Sequence, residues 1–237
     1  MSAPRTDARR IEGIVFDKDG TLFDFEATWA AWTARMIETL AADHGAAPED
    51  VARAAGFDLG AMRFDPASPV IAATNREAAE CLARALPGAD VDAVEERMKY
   101  AVADMVLVPA VPLGPLMAGL GARGLALGVI TNDTEFGART HLDAAGIADR
   151  FAFVAGFDSG HGAKPEPGPL LAFARATGLD PARVLMVGDS THDLIAGRAA
   201  GMWTAGVLTG PATDAELGPL ADIVLPDIGH IPAWLDG

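Results

Sequence analysis

The chain has 237 residues, half of them apolar, and carries 33 Asp and Glu against 18 Lys and Arg, a formal net charge of −15. That length holds one sizeable core plus a smaller second unit, and 26 Gly with 16 Pro stay below the content of a disordered chain. The negative charge repels polyphosphate backbones and anionic lipid, so neither nucleic acid nor membrane is expected as a partner. An anionic ligand must be small and held by local positive charge or by a metal.

The first ten residues, Met1 to Arg10, are polar and basic, with no apolar signal segment behind them. Gly13–Phe16 is the first strand candidate, and it runs straight into Asp17-Lys18-Asp19-Gly20-Thr21. From about Phe25 to Met105 no convincing strand is seen. Helical stretches at Glu26–Ala42, Glu49–Ala54, Val70–Leu86 and Val91–Met105 are separated by Gly45, Pro48, Asp65-Pro66, Pro69 and Pro87-Gly88. This interval reads as an all-helical insert after the first strand, with Pro109 and Pro112 as the return hinge. Met105 to Ala122 carries no charge, but Pro109, Pro112 and Pro115 oppose a continuous membrane helix. Cys81 is the only cysteine, so no intramolecular disulfide can form, which fits a reducing compartment. The expected location is the cytosol.

Beyond the insert, short apolar runs alternate with helical patterns. Strands are expected at Leu125–Ile130, Phe151–Val154, Val184–Val187, Thr204–Val207 and Ile223–Leu225, and helices at Leu113–Ala122, Glu135–Ala145, Pro167–Thr177 and Thr191–Ala200. Such alternation predicts an α/β fold: a Rossmann-like three-layer core around a central parallel sheet. Residues 1–24 and 107–237 would form that core, and 25–106 the insert.

Four clusters fall at the ends of these strands. Asp17 and Asp19, two apart at a strand end, point the same way, and two like charges so close call for a cation or a proton. The same Asp-x-Asp-Gly is also ordinary turn chemistry, and Thr21-x-x-Asp24 matches a capping box. Thr131-Asn132-Asp133 could offer donors to an anion, although Asn132-x-x-Glu135 reads equally as a helix cap. Lys164, one of only three lysines, follows a Gly-rich loop and precedes Pro165; otherwise it is a surface lysine. Gly188-Asp189-Ser190-Thr191-His192-Asp193 places two carboxylates four apart. Ser190-x-x-Asp193 would cap the helix, whereas Asp189 has no such use. Ligands bind at the carboxyl ends of strands in open α/β sheets, so the clusters meet only if their strands are neighbours. His44, His141, His161, His192 and His230 show no metal-ligand spacing and read as structural or surface.

Taken in order, Asp17-x-Asp19-Gly20-Thr21, Thr131, Lys164 and Gly188-Asp189-x-x-x-Asp193 resemble the four motifs of the haloacid dehalogenase-like hydrolases, nearest to members like phosphoglycolate phosphatase. The resemblance spans about Gly13 to Leu225 and places the insert where that family carries a cap. It implies a phosphatase acting on a small phosphorylated metabolite through a phosphoaspartate at Asp17, with Asp19 as general acid and base. It also implies Mg²⁺ on the Asp17 and Asp189 side chains and the Asp19 carbonyl, with Asp193 holding metal-bound water or orienting Lys164. Thr131, Asn132 and Lys164 would bind the phosphoryl group. Lys18 occupies a position more often apolar in the family, and strand alternation turns it away from the two carboxylates. Arg63, Trp29 and Trp32 are candidate selectors of the leaving group, weighed against a solvated loop arginine and two tryptophans in the cap core. The competing readings are a phosphomutase of the same superfamily, a carbon–halogen hydrolase, a phospho-accepting signalling domain and a non-catalytic metal or phosphate binder. Oligomeric state is not legible.

Overall fold

The inner apolar runs become strands because their residues are buried on both sheet faces, and the edge runs are partly buried. The computed structural model describes residues 11–71 and 73–237, so the polar stretch Met1–Arg10 lies outside the described residues. The central strand is β1 (Gly13–Phe16), flanked by β4 (Ala126–Ile130) and β6 (Val184–Gly188). Beyond them lie β5 (Phe153–Ala155) on one side and β7 (Trp203–Val207) and β8 (Ile223–Leu225) on the other. The order is β5-β4-β1-β6-β7-β8, and all five pairings are parallel. Side chains alternate along β1: Ile14 and Phe16 enter one core cluster and Val15 the other. Helices α5 (Leu113–Ala122) and α6 (Glu135–Ala144) cover the first cluster with Leu113, Met117, Leu120 and Leu142. Helices α7 (Gly168–Thr177) and α8 (Thr191–Ala199) cover the second with Leu170, Phe173 and Ala196. Helices α9 (Asp214–Leu217) and α10 (Ile231–Asp236) complete the chain.

The register decides the site. Phe16 lies opposite Val129 on one side and Val187 on the other, so Asp17, Thr131 and Asp189 leave the sheet at nearly the same height.

The insert has its own apolar cluster, including Trp32, Ile37, Leu40, Val51, Phe57, Phe64, Leu82 and Met98. It contains α1 (Phe25–His44), α2 (Pro48–Ala55), α3 (Asn75–Ala83) and α4 (Val91–Ala101). It is not all-helical: β2 (Phe57–Asp58) and β3 (Arg63–Phe64) form a two-residue antiparallel hairpin in which Phe57 faces Phe64. Pairs this short leave no periodicity to read. The expected Val70 start of α3 moves to Asn75 because Thr74 and Glu77 form a reciprocal capping box. Helix α4 ends at Ala101 and passes into a single tight turn at Val102–Asp104. The two connections to the core run side by side: Asp24 N–H donates to the Val108 carbonyl (2.8 Å) and Ala110 N–H to the Leu22 carbonyl (3.0 Å). Asp24 caps α1 itself, accepting from Ala27 N–H, so the expected Thr21–Asp24 box does not form. Among the described residues no helix is long and apolar enough to cross a membrane.

Candidate active site

Asp17 sits just past β1, its N–H bonded to the Val187 carbonyl at 2.8 Å, and its side chain is buried. Lys164 Nζ donates to Asp17 Oδ1 (2.7 Å) and to Asp193 Oδ1 (2.6 Å). Lys164 is no surface lysine; it is 5% exposed. Its backbone is fixed by Asn132, whose side-chain amide donates to the Lys164 carbonyl and accepts from the Lys164 N–H, each at 2.9 Å. Asn132 therefore does not cap α6; Thr134 does, accepting from Gly137 N–H. Thr131 is buried beside it, its hydroxyl oxygen accepting from Asp133 N–H at 3.1 Å.

Asp193 serves two partners. Its Oδ2 accepts from the N–H (3.0 Å) and hydroxyl (2.7 Å) of Ser190, closing a capping box on α8, while Oδ1 takes the Lys164 ammonium. Asp189 lies in a backbone cradle: Thr21 Oγ1 donates to its Oδ1 at 3.3 Å, and a Cβ added at Gly20 or Gly210 would collide with its carboxylate. Gly20 also holds φ +79°, a conformation that side-chain-bearing residues rarely adopt. Thr209 Oγ1 pins the Gly20 carbonyl at 2.6 Å.

Asp17, Asp189 and Asp193 each offer a carboxylate oxygen, all within 4.8 Å of one another. Burial, with repulsion from Asp193 and Asp19 and against the pull of Lys164, lifts Asp17 to about 7. Burial and the Asp17 and Asp193 charges push Asp189 well above the carboxylate range. For Lys164, burial is outweighed by Asp17 and Asp193, so its pKa is raised and it stays charged. Three buried carboxylates against one ammonium leave excess negative charge, and their oxygen-only donor set suits a hard divalent cation. Such an ion fits these residues. Asp19 lends no side-chain oxygen to this cluster; its Oδ2 is bound by Lys18 at 3.1 Å.

Above the carboxylates lies a cavity of about 130 Å³. Asp17, Asp19, Thr131 and Lys164 form part of its floor, and the insert walls it with Phe25, Trp29, Trp32, Met36, Phe64 and Ile71. Lys164 is its only Lys or Arg among the described residues. Arg63 is exposed on β3 and lines a separate depression with Arg53, Asp58 and Asp65, outside this cavity. Sequence reasoning missed Thr209, Gly210 and the burial of Lys18. An unusual lysine inside the Asp-x-Asp pair was the one visible signal; Thr209-Gly210 lies 16 residues past the end of the last motif, at Asp193, with nothing to mark it.

Comparison with known proteins places the chain in a family. The model of a family described as haloacid dehalogenase-like hydrolase matches residues 11–201. A phosphoglycolate phosphatase of Neisseria meningitidis is 33% identical over 236 residues, covering 94% of this chain and 91% of that protein. An N-acetylmuramic acid 6-phosphate phosphatase of Pseudomonas aeruginosa is 29% identical over 204 residues, covering 85% and 83%. Among solved structures, CbbY from Rhodobacter sphaeroides in complex with phosphate superposes with a TM-score of 0.71 at 22% identity, covering 96% of this chain and 100% of that one; this likeness concerns the fold.

Proposed function

The chain belongs to the haloacid dehalogenase-like hydrolases and is a phosphatase, and from that premise we propose a mechanism in which Asp17 is the nucleophile and Asp19 the general acid and base. The observation that carries this reading is the Lys164 ammonium, 2.7 Å from Asp17 Oδ1 at the carboxyl end of the central strand. Lys164 occupies Oδ1 and leaves Oδ2 to attack phosphorus. A bond forms from Oδ2 to phosphorus as the bond to the leaving oxygen breaks; the electron pair stays on that oxygen, which takes the Asp19 proton. Water then attacks phosphorus, gives a proton to Asp19, and the Asp17 oxygen departs, freeing inorganic phosphate.

Lys164, the Thr131 hydroxyl and the Asn132 N–H would hold the phosphoryl oxygens, since the Asn132 side chain is spent on the Lys164 backbone. Asp193 keeps Lys164 charged and aimed. The side chains of Asp17 and Asp189 and the carbonyl of Asp19 would hold Mg²⁺, which when bound supplies positive charge against the phosphoryl oxygens. Phosphate-monoester hydrolysis needs up to about 10²¹-fold acceleration, so several fixed charges around one phosphorus are required rather than one.

The substrate is a small phosphorylated metabolite met in the cytoplasm. Its leaving group enters the cavity under the insert, where Trp29 and Trp32 are wall residues and Arg63 is absent. Asp17→Asn tests the nucleophile: hydrolysis of para-nitrophenyl phosphate should fall by at least about 10³-fold with the circular dichroism spectrum unchanged. Activity within tenfold of the unmodified enzyme would remove Asp17 from that role.

A further inference from the structure

Lys18 lies between the two carboxylates of Asp17-Lys18-Asp19 and is completely buried. Alternation does not carry it clear of both: its ammonium lies 3.1 Å from Asp19 Oδ2. An ammonium has three protons to donate, and Lys18 faces three groups: Asp133 Oδ2 at 2.7 Å and His141 Nδ1 at 2.9 Å as hydrogen-bond acceptors, and Asp19 Oδ2 at 3.1 Å as an ion-pair partner. The tautomer of His141 follows from its other partner. Nε2 lies 3.0 Å from the Val102 carbonyl, which can only accept, so Nε2 carries the proton and Nδ1 offers a lone pair to Lys18. Asp133 is itself held by Thr134 N–H on Oδ1 at 2.6 Å, and the Trp29 ring lies 5.6 Å from the ammonium. Lys18 has no freedom left.

The consequence falls on Asp19. Its Oδ2 is gripped by Lys18, while its Oδ1 is buried with no hydrogen-bond partner, in a residue that lines the cavity. A buried unpartnered oxygen is unfavourable unless a ligand supplies what it lacks. We propose that Lys18 is a positioning residue for Asp19: by fixing Oδ2 it presents Oδ1 to the leaving oxygen and later to the attacking water. This rests on Asp19 being the general acid. A lysine serving only the core would, when lost, leave Asp133 as an uncompensated buried charge and affect all substrates alike.

Two esters of similar shape separate the cases. Para-nitrophenolate departs without a proton, whereas the benzyl alkoxide needs one, and kcat/KM covers only the steps through phosphoaspartate formation. Lys18→Met should lower kcat/KM on benzyl phosphate by about 10²-fold, the scale of a lost general acid, and on para-nitrophenyl phosphate by less than about fivefold. Should Lys18→Met not fold because Asp133 is left unpaired, Lys18→Met/Asp133→Asn removes both charges and must show the same split. Equal losses on the two esters, or no loss on either, would overturn the proposal. Asp19→Asn distinguishes the two levels of the argument. If it splits the esters and the Lys18 variants do not, only the positioning assignment fails; if it lowers both esters equally, the general-acid reading fails first.

Discussion

Adding Mg²⁺ to the metal-free enzyme should release protons, and the pH dependence of that release follows from one buried carboxyl. Burial lifts Asp17 to about 7, Asp193 and Asp19 add to the rise, and Lys164 opposes it. At pH 6 roughly nine-tenths of metal-free molecules hold the Asp17 proton, at pH 7 about half, and at pH 8 about one-tenth. A coordinating carboxylate must be ionised, so Asp17 alone should give up about 0.9 proton per ion bound at pH 6 and about 0.1 at pH 8. Asp189, also raised, adds to the first figure. Apparent Mg²⁺ affinity should then weaken by at least about tenfold per unit as pH falls below 7. The sign for folding is the same: the native state binds the Asp17 proton more tightly than the unfolded chain, so metal-free stability falls as pH rises from about 4 to 7, and bound metal removes that slope. Isothermal titration calorimetry in two buffers of different ionisation enthalpy counts the protons. Identical binding enthalpies in both buffers at pH 6 would show that no proton leaves, and the assignment of Asp17 as a ligand raised by burial would be wrong.

A methyl group at position 210 must enter the space of the Asp189 carboxylate, so Gly210→Ala should weaken Mg²⁺ binding by about tenfold or more while the fold persists; unchanged affinity by the same calorimetry would refute the cradle. The cavity offers a leaving group apolar walls and one Lys already bonded to two carboxylates. Benzyl phosphate should therefore exceed phosphoglycolate in kcat/KM by about tenfold, because an unpaired carboxylate is poorly accommodated there. A preference for phosphoglycolate would show that a cation reaches the cavity when substrate is bound.

Much of the fold was legible because it rests on local signals. Continuous apolar runs such as Val184–Val187 become strands buried on both faces, and the helices behind them start and stop within a residue or two of Pro, Gly and capping patterns. What spacing could not supply was adjacency. That β1 lies between β4 and β6 is set by packing over the whole sheet, and only that order brings Asp17 beside Lys164 and Asp189. The hairpin at Phe57–Asp58 and Arg63–Phe64 escaped because two-residue strands carry no period; it is held by the Phe57–Phe64 ring contact. Lys18 was read wrongly for a related reason. Alternation describes where a Cβ points, but a lysine has four further carbons, and a buried ammonium goes wherever acceptors are.

The cap-or-catalyst alternatives at the strand ends divide along the same physical line. Asn132 and Asp193 both stand where a helix-start pattern and a site pattern overlap, yet they resolve differently. Asp193 has two oxygens: the helix start takes Oδ2 and Lys164 takes Oδ1, so one carboxylate satisfies both demands, and capping is what aims it. Asn132 uses both polar atoms of its amide on the Lys164 backbone, and the cap passes to Thr134. A residue at such a junction can therefore serve both the helix and the site only when its polar atoms outnumber its structural partners. Asp19 extends the rule: Lys18 holds one oxygen and the other stands buried and unpartnered, the condition that the proposed general acid requires.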